Sequence, residues 1–466
     1  MRYFILFTVI SLAVGAGAAE NYEAARDSVP SQWTYSSDYV QPLPVDDAWW
    51  RTFDDPVLNS LISLAIDNNF DVAMAFHRME VARQAIRSAK SGYYPQLSVS
   101  AGYTASRTSG NMSSVSTPAM RSNYFSAGVS MAWEADVFGR VTSRVKESKA
   151  RYEASRADYG AAMVSLCAEV ASQYIQLRTW QAELQVARDH LESQGKVLKI
   201  AEARHEAGLN SSLDVAQAST IYYSTESSIP ALETQIAQAI NAIALMCGVY
   251  PDAVDPLLGA PAGVPDYRRI VAVGVPAELL RRRPDIRQAE YNMAAAAAAI
   301  GVARKDFLPV ISVQGRIGYD SHNIGHLFDS RSLSYSVAPT ISWTIFDGMA
   351  RNAALASARE DMQVSVEQYN QTMMTAYEEV SNAMAAYTGQ LHTIEYLTTV
   401  VERAQQQMDL SLDLYKQGLE GFLSVANAQV TLLEYTDQLT VARGNAAADL
   451  VNLYRALGGG WETLSE

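Results

Sequence analysis

RHEAGLNSSLDVAQA at residues 204–218 and LYKQGLEGFLSVANAQ at residues 414–429 are one pattern written twice: helical sequence, a glycine, a short turn, and helical sequence again. Gly208 and Gly418 are 210 residues apart, and so are Gly248 in LMCGV and Gly458 in ALGGG. That spacing is a whole number of heptads, so helical register survives the duplication. Upstream, Pro95 in YYPQLSVSAGY returns as Pro309 in FLPVISVQGRIGY, and Phe138-Gly139-Arg140 as Phe346-Asp347-Gly348 with Arg351. A unit spanning 55–250 and again 276–460 is far longer than the roughly 20–50 residues of a solenoid repeat. It reads as a duplicated half of one domain.

Most of each half is helix. Arg351 to Lys416 contains no proline and a single glycine, Gly389. Val366, Met373, Val380, Tyr387, Ile394, Val401, Met408 and Tyr415 fall on one heptad position. Met163, Val170, Leu177, Leu184, Leu191 and Leu198 are their equivalents in the first half. Such a strict repeat predicts coiled-coil packing, and a helix of some 65 residues reaches about 100 Å. The glycine turns at 208 and 418 fold each long helix back into a returning one.

Between the helices lie segments of a different period. Leu97, Val99, Ala101, Tyr103 and Ala105 alternate with Ser98, Ser100, Gly102, Thr104 and Ser106; Phe125, Ala127, Val129, Met131 and Trp133 alternate likewise with small or polar neighbours. The second half repeats this at 311–319 and 335–343. Each run is about ten residues, the length of a tilted membrane strand. A half-buried soluble strand alternates in the same way, but Tyr93, Tyr94, Trp133, Phe307 and Trp343 collect at one end of all four, like an interfacial girdle. Lipid leaves no place for an open sheet edge, and four strands are too few to close a barrel, for which eight is about the minimum. The expectation is a homo-oligomer sharing one barrel.

The chain has 466 residues, 48% hydrophobic and 18% charged, and a net charge of −14. Disorder is excluded by the apolar content, and the acidic balance argues against nucleic acid. MRYFILFTVISLAVGAGAAE carries Arg2, an apolar run, and small residues at Ala16-Gly17-Ala18. It reads as a signal peptide over 1–19. No other stretch is apolar and long enough to cross a bilayer as a helix, so any membrane crossing is by strands. The rest divides into an extended, equatorial arm packed on the outside (20–54, with Trp49 and Trp50), a first repeat (55–250, hairpin 97–133, tip near 209), a Pro-rich equatorial linker (251–275), a second repeat (276–460, hairpin 311–343, tip near 419) and a tail (461–466). Each repeat begins with a helix, over about 55–92 in the first. The alanine run 294–299 suits a small-residue packing face.

Cys167 and Cys247 are the only cysteines. Two readings stand: a disulfide between two antiparallel helices, or two small buried residues. Neither lies near the cleavage site, so lipid anchoring is not expected. No catalytic, metal or cofactor constellation is legible. His322 and His326 have H-x3-H spacing in a loop poor in carboxylates, where a surface loop outweighs a metal site. The methionines fall mainly on helical seams, which favours core filler over a copper or silver pathway.

The stretches AWWRTFDDPVLNSLISLAIDNNFDV (48–72), WEADVFGR (133–140), EVASQYIQLR (169–178), HEAGLNSSLDVAQA (205–218), PAELLRRRPDIRQAEYNMAAAAAAIGVARKDFLPVISVQGRIG (276–318), YKQGL (415–419) and NLYRALGGGW (452–461) resemble outer-membrane efflux proteins of the TolC superfamily, of the OprM-like kind. The resemblance covers nearly the whole mature chain. It implies an α+β membrane protein: a trimeric 12-stranded transmembrane β-barrel continued by a long periplasmic α-helical barrel. It further implies residence in the outer membrane of a Gram-negative bacterium, no enzymatic activity, and partners in a periplasmic adaptor protein and an inner-membrane pump of RND type. The exported substrates are then small molecules such as drugs, or metal ions. A duct for type I protein secretion, or a periplasmic coiled-coil adaptor, are the competing readings.

The tips Gly208, Leu209, Asn210, Ser211 and Gly418, Leu419, Gly421, Phe422 are the expected adaptor contacts, with simple helix stops as the alternative. By the same resemblance Glu420 stands at the pore constriction, with Tyr415 packing the closed iris. A solvated turn carboxylate is the competing reading.

Overall fold

The computed structural model describes residues 30, 33, 39–41, 48–109, 120–276 and 282–459. The expected signal peptide, most of the arm, part of the loop at 107–122, residues 277–281 and the tail lie outside the described residues.

The duplication is visible as two long helices, α3 (Arg140–Glu206) and α7 (Ala350–Gln417), of 67 and 68 residues. Each turns back into a 35-residue helix, α4 (Ser212–Met246) and α8 (Phe422–Ala456). At 1.5 Å per residue the long helices span about 100 Å. Their heptad positions point inward: Met163, Val170, Leu177 and Leu184 in α3, and Val366, Met373, Val380, Tyr387, Ile394, Met408 and Tyr415 in α7, are all buried. Leu191, Leu198 and Val401 are half-buried at the same seams. Within the chain α4 packs on α3, α3 on α8, and α8 on α7.

The helix expected over about 55–92 is two helices, α1 (Pro56–Asn68) and α2 (Phe70–Ser91). Asp55 starts the first, accepting from the amides of Val57 and Leu58 at 2.8 and 3.2 Å. Asn69 interrupts them in extended backbone, φ −66° and ψ 130°. Its side-chain oxygen accepts from the amides of Asp71 and Val72 at 2.9 and 3.0 Å, capping α2. Its Nδ2 donates to the carbonyl of Met246 at 2.9 Å, near the end of α4.

Arg283 holds the matching position in the second repeat, just before α6 (Pro284–Lys305). Its Nη1 donates to the carbonyl of Ala456 at 2.7 Å, near the end of α8. Its charge is met by Asp285 and Glu379, each at 2.7 Å from Nη2. Beside these two clamps sit Gly248 and Gly458, at φ +64° and +68°. A Cβ on Gly248 would overlap the Asn68 carbonyl oxygen, and one on Gly458 would lie 2.7 Å from Arg283 Cγ. The glycines of LMCGV and ALGGG therefore do two things: they end a helix, and they let another chain segment pass against it.

A belt of short elements lies against the long helices. Strand β1 (Val40–Gln41) pairs in parallel with β4 (Val271–Ala272). Helix α5 (Pro251–Leu258) and the linker after it are fixed to α3 by Arg178, which donates to Gln181 Oε1 at 2.6 Å and the Ala260 carbonyl at 2.9 Å. Where the arm was expected outside, part of it enters the core. Trp49 is 1% exposed and stacks on Tyr454 at 5.4 Å. The reason is hydrophobic: the 3-10 turn Trp49–Phe53 buries both tryptophans and Phe53.

Strands β2 (Gln96–Arg107), β3 (Arg121–Ala135), β5 (Val310–Ser321) and β6 (Leu333–Ser342) form one antiparallel sheet in the order β2-β3-β5-β6. The hairpins of the two repeats join between β3 and β5. There Gly128 faces Gly318 so closely that a Cβ on Gly318 would sit 2.8 Å from Gly128 Cα.

Candidate functional site

Register decides which side chains share a face of the sheet. Val99, Val129, Ile317 and Tyr335 lie in one row across the four strands, and Leu97, Met131, Gly315 and Val337 in another. The next row in between is polar and points the opposite way: Ser98, Ser130, Arg316 and Ser336. Ser98 and Ser130 share a 2.8 Å hydroxyl hydrogen bond, and Arg316 grips Asp320 through two contacts of 2.9 and 2.8 Å. The sheet thus has one apolar and one hydroxyl-and-charge face, continuous across both repeats. The outer edges of β2 and β6 have no strand partner among the described residues.

The girdle aromatics gather where strands meet helices. Trp133 donates through Nε1 to the carbonyl of Tyr93 at 3.0 Å, and Trp343 to that of Phe307 at 3.0 Å. Tyr93 also donates to Thr142 at 3.1 Å, while Tyr94 and Trp343 are exposed. Charges that composition alone left unremarked sit beside them. Arg140 binds Glu134 and reaches Asp306 at 3.4 Å; Arg351 binds Asp347 at 2.6 Å and lies over the Phe307 ring at 5.5 Å. The signals were present in WEADVFGR and FDGMAR, as carboxylate and arginine flanking each turn into a long helix.

At the far end of the helices the two tips touch. Gly208 and Gly418 adopt φ +73° and +78° with open space where a Cβ would go or only a side-chain end near it. Leu209 and Leu419 donate their amides back to the carbonyls of Arg204 and Leu414 at 2.8 and 3.0 Å, closing both helix ends. Their side chains are exposed, as are Ser211, Glu420 and Gly421. Ser211 Oγ donates to Asp214 at 3.0 Å.

Tyr415 turns inward, only 2% exposed, against the buried ring of Phe422 at 5.4 Å. Asn210, from the first tip, donates through Nδ2 to the Tyr415 hydroxyl at 2.9 Å and to the Ala201 carbonyl at 3.0 Å. Arg204 lies 4.8 Å above the Tyr415 ring and donates to the Lys416 carbonyl at 2.9 Å. The sequence placed Tyr415 and Asn210 near their tips but gave no sign that Arg204, Asn210 and Tyr415 join one tip to the other.

Cys167 and Cys247 are free, both in the main core. Burial pushes the Cys167 thiol up to about 12 and that of Cys247 to about 11, so neither offers a reactive thiolate. His322 lies 2.6 Å from the Asn123 carbonyl and His326 2.8 Å from Asp329. Among the described residues no group of His, Cys, Asp and Glu is arranged to hold a metal, and no helix is long and apolar enough to cross a membrane.

Two exposed edges, two opposed faces and a deep helical annex define a membrane-channel architecture, and known proteins agree. The chain belongs to the outer membrane efflux protein family, whose model matches residues 61–249 and 275–459. Among curated relatives it is 30% identical to the antibiotic efflux pump outer membrane protein ArpC of Pseudomonas putida, over 97% of this chain and 96% of the relative. It is equally 30% identical to the outer membrane protein OprJ of Pseudomonas aeruginosa, over 97% and 95%. Among solved structures the outer-membrane channel OprN superposes with a TM-score of 0.87 at 30% identity, covering 93% of this chain and 97% of that one. VceC of Vibrio cholerae gives 0.80 at 26%, covering 90% and 100%. The protein is an outer-membrane efflux component, built as those channels are from a strand sheet and a long helical region.

Proposed function

We propose that three copies close one 12-stranded barrel, and that the barrel is the exit duct of a tripartite efflux system. The observation that carries this reading is the four-stranded sheet with an apolar outer face and two unpaired edges. In hydrocarbon each unsatisfied backbone group costs several kcal/mol. Pairing β6 of one copy with β2 of the next removes every edge and keeps all neighbours antiparallel. The apolar rows then face lipid, and the serine rows with Arg316 line the lumen. The helices continue the duct into the periplasm.

Transport energy then comes from an inner-membrane pump of RND type, joined through a periplasmic adaptor that meets the exposed tips, as relatives named as outer membrane proteins of efflux pumps favour. Relatives named for antibiotic and toluene efflux favour small organic molecules as the cargo.

At the tips, Glu420 stands exposed at the second turn, and a threefold axis brings three such carboxylates together at the entrance. A ring of that kind attracts cations and repels anions. Tyr415 serves the closed state from behind, by holding the second tip to the first through Asn210 and Arg204. The test is the purified protein in planar bilayers. A detergent-resistant trimer that conducts is expected, and Glu420→Ala should lower its cation preference or raise its open time. A stable monomer would remove the shared barrel; unchanged selectivity and gating in the variant would remove the ring.

A further inference from the structure

Charge on the polar face of the sheet is concentrated in one place. Register puts the even-numbered residues of all four strands on that face, and only Glu134, Arg316 and Asp320 among them are charged. Glu134 is bound to Arg140 at the junction with α3. What remains along the wall is a single ion pair on β5, Arg316 with Asp320, its side chains 37% and 18% exposed.

The pair lies flat. Its members are four residues apart on one strand, a span of about 13 Å at about 3.3 Å per residue. Yet the guanidinium meets both carboxylate oxygens, at 2.9 and 2.8 Å. Both side chains must lie along the strand to close that distance. The sequence clears their path: between them on this face is Gly318, and beside it on β3 is Gly128, so neither position raises a side chain under the pair. Ser334, facing Gly318 from β6, donates to the Asp320 carboxylate and fixes that end of the pair. A forked, two-bonded contact of this kind sets the direction of the guanidinium as well as its distance.

We infer that this pair sets the bore and the charge selectivity of the duct at the level of the sheet: Arg316 is the specificity-determining cation, and Asp320 is the positioning residue that holds it against the wall. In the shared barrel proposed above, on which this rests, the polar rows face the lumen. Twelve strands about 4.8 Å apart and tilted about 40° enclose a backbone radius of about 12 Å. An arginine standing upright would cover about half of that radius. Three of them, related by the barrel axis, would turn a wide and neutral passage into a narrow and cationic one. Held down by Asp320, the three add no net charge and leave the passage open to bulky organic cargo of either sign.

The experiment is ion permeation through the full-length protein in planar bilayers, in a potassium chloride gradient, for wild type, Asp320→Asn, Arg316→Gln and the double variant. Asp320→Asn releases Arg316. Three uncompensated charges within about a Debye length of the axis should lower the potassium-to-chloride permeability ratio about threefold or more at about 0.1 M salt, and the conductance with it. Arg316→Gln should raise the ratio. The double variant, with no charge at either position, should return to the wild-type value. Inorganic tripolyphosphate added on the barrel side should block Asp320→Asn alone, a readout independent of the entrance at the helix tips. Native mass measured on each sample separates the outcomes. A conducting trimer whose Asp320→Asn variant keeps the wild-type ratio and is not blocked overturns this role of the pair and leaves the duct standing, as does an Arg316→Gln variant with an unchanged ratio. A monomer, or a wild-type protein that does not conduct, removes the shared barrel and the selectivity of its wall together.

Discussion

Gly248→Ala and Gly208→Ala make the same chemical change at the same kind of backbone position, yet the structure assigns them different consequences. Both glycines have positive φ, +64° and +73°. An L-residue there costs about 1–2 kcal/mol, offset by about 0.4–1 kcal/mol from the less flexible unfolded chain. For Gly208 that is the whole effect, because nothing lies within 4 Å of the added Cβ, and the net loss is about 0.5–1 kcal/mol.

Gly248 differs because the new methyl overlaps the Asn68 carbonyl oxygen, which is backbone at the end of α1. That segment is pinned by the Asn69–Met246 hydrogen bond, so it yields only by breaking the clamp. Overpacking of this kind adds about 1–3 kcal/mol, and loss of the clamp about 1 kcal/mol more. A total of about 3–5 kcal/mol is expected. Gly458→Ala should come close to Gly248→Ala but stay below it, since its added Cβ lies 2.7 Å from Cγ and 3.0 Å from backbone Cα of Arg283, which is held by Ala456, Asp285 and Glu379. Urea unfolding in detergent, followed by helical circular dichroism, should order the midpoints wild type, Gly208→Ala, Gly458→Ala, Gly248→Ala. Equal midpoints for the 208 and 248 variants would refute the argument from close packing.

Val129→Arg, flanked by Val99 and Ile317 on the apolar face, should destabilise the inserted protein by about 2–4 kcal/mol; Ser130→Arg, one residue on, should cost far less, as judged by resistance of the oligomer to heating in detergent. Tyr415→Phe removes the hydroxyl that Asn210 holds at 2.9 Å and should cost about 1 kcal/mol while raising channel open probability, read in planar bilayers. Glu183 is raised to about 7 by burial and then by Asp437 across the α3–α8 seam. An acid raised on folding binds its proton more tightly in the native state, so stability is greatest below pH 4.5 and falls as pH climbs to 7. Glu183→Gln should flatten that decline, worth about 1 kcal/mol for a half-exposed group, in melting temperatures taken between pH 5 and pH 8.

The helices were legible because nothing competes with a heptad carried over so many turns: a stripe that strict has one way to be buried. The strands were legible because alternation fixes which face each residue takes, and the observed register places Val99, Val129, Ile317 and Tyr335 side by side. Local chemistry was harder. Asn69 in IDNNFD is an N-cap followed by an acidic first turn, but a run of good helix formers on both sides hid the break. Arg283 is one of three consecutive arginines, and nothing local marks it as the one that reaches α8 through a contact 173 residues away. Tyr415 shares its heptad position with Met408, and periodicity can say that such a residue is buried but not which hydroxyl acceptor or amide waits for it. Nothing local marked Gly128 and Gly318 as partners; their approach exists only once two hairpins from different repeats meet.

The length of α7 has a mechanical consequence. Arg283 holds this helix at Glu379, and the tip glycine lies at position 418, about 58 Å further along at 1.5 Å per residue. With no proline between them to absorb bending, that segment acts as a stiff arm hinged near the belt. A tilt of about 5° at the hinge moves the tip by about 5 Å, close to the pitch of one helical turn. Rearrangements too small to disturb the core around Trp49 and Tyr454 are therefore enough to move the exposed turn at Gly418 by the width of a side chain.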